Sequence, residues 1–182
     1  MTHTFDKDTL IFLFNQTFLP LRNTQLVCCE EEPIYRPANP NTNHPHHRII
    51  FAHGFFASAL HEIAHWSIAG SKRRLLEDFG YWYQPDGRST EQQAEFEKVE
   101  IKPQALEWIF SMSAGFPFVF SADNLAGNTG PSKRFQKNVL QQVQTYLTLG
   151  MPEDAQIWSQ VLLDNYQPGY ALSPHLFKLS SQ

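Results

Sequence analysis

The run His61-Glu62-Ile63-Ala64-His65 constrains this chain more than any other feature of its sequence. Two histidines four residues apart lie on one face of an α-helix, about one turn from each other. Their ring nitrogens can then converge on a single metal ion. The pattern works only on a helix, so the fold must supply one here. The flanking sequence agrees. The segment LHEIAHWSIA is otherwise apolar, and Ser58 or a near neighbour is expected to start the helix. Gly70 sits where a left-handed residue commonly ends one. Just before it, RIIFAH (residues 48–53) reads as a buried strand, punctuated by Gly54. Together these features favour a metal site over a helix with two hydrogen-bonded structural histidines.

The rest of the chain frames that helix. A length of 182 residues is expected to form a single domain spanning residues 1–182. Apolar residues make up 42% and charged residues 18%, enough for a core and too little charge for a disordered chain. A net charge of −4 argues against a basic nucleic-acid surface. No apolar run approaches the roughly 20 residues that span a bilayer, so no membrane role is expected. The start, MTHTFDKDTL, lacks the basic and apolar regions of a signal peptide. The only cysteines, Cys28 and Cys29, are adjacent and form no disulfide framework. They read as buried strand residues, with no His or Asp spacing that marks a nucleophile. A reducing, cytoplasmic setting is expected.

Local patterns give the remaining elements. Asp6 or Asp8 can cap a first helix carrying Leu10, Ile11, Phe14 and Phe18, which Pro20 is expected to stop. QLVCC reads as a short strand, and residues 33–37 as extended chain between prolines. Thr90 is expected to cap a helix with Glu91 in its first turn. Pro103 is expected to break or restart that helix before a helical segment from Gln104 to Ser113. Ser132 opens a helix that ends at Gly150, and Pro152 suits the first position of a last helix up to Asn165. The expected class is α+β: mostly helical, with a small sheet.

A working metal site needs a third ligand. Two His and one carboxylate form a facial triad suited to Fe(II) and oxygen chemistry. The same donors in a tetrahedron suit catalytic Zn(II), and donor types alone do not choose between them. Four glutamates follow in the next helical segment: Glu91, Glu95, Glu97 and Glu100. Glu91 and Glu95 sit in a polar run. Glu100, between Val99 and Ile101, has the least polar setting and is the preferred ligand, with Glu97 second. If the helix runs past Pro103, Gln104 lies one turn beyond Glu100 and can support it. Glu62 is the general base in a zinc peptidase reading, and orients a ligand or water in an oxygenase. His53 can enter the pocket, although a core histidine is the plainer reading. Tyr81, Trp82 and Tyr83 can wall a cleft for a long alkyl-amine side chain; packing is the plainer account. Lys72, Arg73 and Arg74 can hold an acidic group or form a solvated turn. His44, His46 and His47 read as surface histidines.

Longer stretches carry a resemblance. RIIFAHGFFASALHEIAHWSIAG, LLEDFGYWYQPDGR and FEKVEIKPQALEW, with EEPIYRPA before and SADNLAG after, resemble the bacterial elongation factor P hydroxylases. The resemblance covers about Glu31 to Tyr146. It implies a metallopeptidase-like HExxH fold used for hydroxylation rather than hydrolysis. The implied substrate is translation elongation factor P, β-lysylated on a loop lysine. The implied centre is Fe(II), using O2, on His61, His65 and most plausibly Glu100; zinc or another divalent metal can occupy a purified sample. Two other readings are a zinc peptidase or amidase with Glu62 as base, and a non-catalytic binder of elongation factor P.

Overall fold

The structure is a computed structural model that describes residues 5–78, 89–121 and 131–179. The chain divides into two compact units, Met1–Gly80 and Tyr81–Gln182. Among the described residues there are five α-helices and one three-stranded sheet, so the fold is mostly helical α+β. No helix among them is long and apolar enough to cross a membrane.

The first unit starts with α1 (Lys7–Arg22), capped by the Asp6 carboxylate, which accepts the Thr9 N–H at 2.9 Å. Leu10, Phe14 and Phe18 are fully buried along its inner face. Contrary to the sequence expectation, Pro20 does not end α1. It sits in the last turn, and the helix closes only at Asn23, in the left-handed conformation. A late proline removes one backbone hydrogen bond, and the buried phenylalanines hold the turn against that loss. Three strands follow: β1 (Thr24–Glu30), β2 (Ile34–Arg36) and β3 (His47–Ala52). The order is β1-β3-β2, with β3 parallel to β1 and antiparallel to β2. Edge strand β1 is tied to α1 by Asn15, whose side-chain amide bonds both the N–H and the C=O of Leu26. Cys28 and Cys29 lie in β1 with their sulfurs in contact. Contrary to the sequence expectation neither is buried: Cys28 is half-buried and Cys29 exposed, and the register shifts between Cys28 and Glu30.

Helix α2 (Phe56–Ile68) packs on β3 and α1. It begins two residues before Ser58, without a side-chain cap. Its end also departs from expectation: Ala69, in extended conformation, is the cap, and Gly70 lies beyond it. A short turn, Arg73–Leu75, follows, and the described part of this unit ends at Asp78, whose backbone pairs with that of Tyr35.

In the second unit, α3 (Thr90–Ala114) is one continuous helix. Ser89, not Thr90, caps it, through a reciprocal box with Gln92. Pro103 is buried inside it and does not break it. An interior proline costs roughly 3 kcal/mol. Buried Ala105, Leu106, Ile109 and Phe110, just beyond, offset that by packing α3 against its neighbours. Those neighbours are α4 (Lys133–Leu149) and α5 (Glu153–Tyr166). Helix α4 runs from the Ser132 cap to Gly150, as its sequence predicts. Pro152 caps α5 rather than filling its first position.

Candidate metal centre

The HExxH segment is launched by a sharp turn. His53 and Gly54 both take left-handed conformations, with φ of 55° and 74°. Such a pair reverses the chain leaving β3 so that α2 can return along it. A Cβ at Gly54 would also meet Lys7 Cδ at 3.1 Å. On α2, Ala59, Leu60, Ile63 and Ala64 are wholly buried and anchor the helix. His61 and His65 lie one turn apart, each half-buried.

Their rings meet edge to face, with centroids 4.6 Å apart. The two Nε2 atoms are 3.0 Å from each other. Two imidazoles bound to one ion at about 2.1 Å, at close to a right angle, give about this separation. The same distance also fits an N–H···N hydrogen bond between the two rings. Glu62 is half-buried, one residue round the helix from His61 and off the two-histidine face.

The second unit holds the carboxylates. Glu91 is exposed at the start of α3, its pKa lowered by backbone N–H and by Ser89. Glu95 is exposed and paired with Lys98. Glu97 is committed elsewhere: its carboxylate accepts the Ser132 N–H at 3.1 Å and the Ser132 hydroxyl at 2.8 Å. Glu100 is the buried one of the four, at 3% exposure. Since the helix does continue, Gln104 stands one turn on, fully buried. Its amide clamps the backbone of Ser121, donating to the carbonyl at 2.7 Å and accepting the N–H at 3.2 Å. That amide is therefore engaged with the chain after α3.

Other sequence candidates fall in several places. His53 is not a core histidine: it is exposed, with its ring 6.0 Å from that of Phe55. Tyr81, Trp82 and Tyr83 lie outside the described residues. His44 and His46 are peripheral, His46 bonded to Asn23. His47 is structural: its Nδ1 accepts the Ala38 N–H at 3.0 Å, and burial with the nearby Arg74 charge pushes its pKa down.

The basic turn after α2 is more organised than sequence reasoning expected. Arg73 pairs with Asp78 at 2.6 Å. Arg74 lies over the Trp66 ring at 4.0 Å and donates from Nε and Nη2 to the Trp66 carbonyl, at 3.2 and 2.8 Å. It thereby holds the last turn of the helix that carries His65. Arg74's own carbonyl accepts the Tyr35 hydroxyl at 2.8 Å, and burial raises that phenol's pKa to about 12. Nothing local in the sequence signals these contacts, because they join residues from separate elements.

Comparison with known proteins decides the family. A model of the family "Elongation factor P hydroxylase" matches residues 13–177. The chain belongs to the elongation factor P hydroxylase family. It is 53% identical over 159 residues to the "Elongation factor P lysine hydroxylase" of Haemophilus influenzae, covering 87% of this chain and 88% of that protein. The HExxH helix, the Arg74 latch and the buried Glu100 are thus features of an enzyme, a hydroxylase. The resemblance drawn from the central motifs holds over nearly the whole chain.

Proposed function

We propose that this protein hydroxylates the β-lysylated lysine of translation elongation factor P in the cytoplasm. The centre we propose is Fe(II) on His61, His65 and Glu100, with O2 as oxidant. The observation that carries this reading is the convergence of the two Nε2 atoms, 3.0 Å apart, in a member of a hydroxylase family. His61, His65 and Glu100 are donors of the kind that could hold one metal ion. Glu100 is favoured over Glu97 because it is the buried one of the four glutamates, whereas Glu97 is half-buried and accepts from Ser132.

Bound iron supplies the activation of O2 that an unreactive C–H bond requires. The overall change is C–H plus O2, two electrons and two protons, giving C–OH and water. The protein's task is to present one carbon to the centre and keep other hydrogens away. The imidazoles of His61 and His65 hold their geometry through the packed face of α2. Glu62 orients a ligand or water beside them. We assign His53, Tyr81 and Trp82 no part in holding the metal and propose that they contact the modified lysine.

The test is the intact mass of β-lysylated elongation factor P after reaction with wild type or with His61→Ala. A gain of one oxygen atom with wild type alone supports the reading. A cleaved chain would move the function to hydrolysis with Glu62 as base. An unchanged mass with folded, iron-loaded protein would reduce it to binding.

A further inference from the structure

The sheet carries a charged group that the metal centre does not use. Arg48, in β3, is half-buried. Its register partners are Gln25 on β1 and Arg36 on β2. The three side chains therefore form one row across one face of the sheet. Like charges directly opposite on neighbouring strands repel. Arg36 is compensated: its guanidinium donates to Glu30 at 2.9 Å and lies 3.7 Å from Glu77. Among the described residues Arg48 has no such partner, and its Nε, shut off from solvent, makes no hydrogen bond. An N–H removed from water without an acceptor is costly. A ligand that brings an acceptor and a negative charge removes that penalty.

We propose that Arg48, with the Gln25 amide beside it, is a binding site for a carboxylate. The Nε–Nη edge of a guanidinium offers two parallel donors that match the two carboxylate oxygens. Binding requires the half-buried side chain to turn that edge toward the ligand. Arg36 is already matched by its glutamates, so the ligand meets the single charge of Arg48. That suits a monoanion better than a phosphate dianion. The group has two sources, an acidic side chain of the protein substrate or a free organic acid, and they offer the same chemistry.

The experiment uses the full chain with isotope-labelled arginine, following Nε–H resonances by NMR during titration with sodium acetate. Sodium chloride at equal ionic strength is the control, and Arg48→Lys identifies the resonance. A saturable shift of the Arg48 signal with acetate alone supports the site. No shift, or the same shift with chloride, overturns it. A second arm measures binding of elongation factor P to wild type and Arg48→Gln, and this arm alone rests on the proposed function. Weakening of about tenfold or more, with shallower salt dependence, assigns the carboxylate to the protein substrate. Unchanged binding beside a positive acetate result overturns that source and supports the free acid. A wild type that does not bind the factor overturns the functional reading, while the acetate result stands by itself.

Discussion

Arg74→Met tests whether the latch at the end of α2 holds the metal helix. The change keeps a similar stem on Trp66 and removes the charge and both donors. A hydrogen bond from a charged donor contributes about 1.5–3 kcal/mol. Here the figure must be discounted, because Arg74 is half-exposed and the Trp66 carbonyl keeps the Ala69 N–H at 3.2 Å. About 1 kcal/mol is reasonable for that part. The cation over the ring, 4.0 Å from its centroid, adds about 0.5–1 kcal/mol. The sum is about 1.5–2 kcal/mol. With a urea slope of about 2 kcal/mol per molar, the midpoint should fall by about 0.8–1 M. Arg74→Lys keeps the cation and one donor and should recover about half of that loss. Urea titration of metal-free protein, followed by tryptophan fluorescence, reads both variants. A midpoint for Arg74→Met within about 0.2 M of wild type would refute the reasoning. So would an Arg74→Lys variant no better than Arg74→Met.

Two further outcomes follow from the site and its surroundings. Glu100→Gln should weaken iron binding by at least about tenfold, whereas Glu97→Gln should leave metal affinity unchanged and only loosen the start of α4; metal titration distinguishes them, and equal effects would sink the ligand assignment. His47, with its ordinary value of 6.5 lowered by burial and by Arg74, takes up a proton more readily unfolded than folded. The stability from its neutral form is therefore complete above about pH 6.5 and is lost as pH falls below it. His47→Gln should flatten the fall in urea midpoint between about pH 7.5 and about pH 5.5, and an unaltered slope would contradict this.

Local chemistry made much of the fold legible. The strands around QLVCC and RIIFA and the Ser132–Gly150 helix follow from patterning and capping, and the HExxH helix follows from its motif and apolar spacing, though its ends do not. Pro20 and Pro103 sit inside helices because tertiary packing overrides their local penalty, and no short window contains that packing. Glu100 has apolar sequence neighbours and is buried, but those neighbours do not cause the burial. Residues one apart on a helix face different ways, and Val99 is 37% exposed. Burial comes instead with the face shared by Gln104 and Glu107, both buried. Arg74 on Trp66, Gln104 on Ser121 and the stranded Arg48 depend on elements distant in sequence, so spacing carried no trace of them.

The central claim is that this chain inserts oxygen into a lysine side chain through a metal held by His61 and His65. The most direct measurement is the mass of β-lysylated elongation factor P after reaction of the iron-loaded enzyme under isotopically heavy dioxygen in ordinary water. The account predicts one heavy oxygen atom in the product with wild type and none with His65→Ala. Ordinary oxygen in the product, or equal incorporation by the variant, would contradict it.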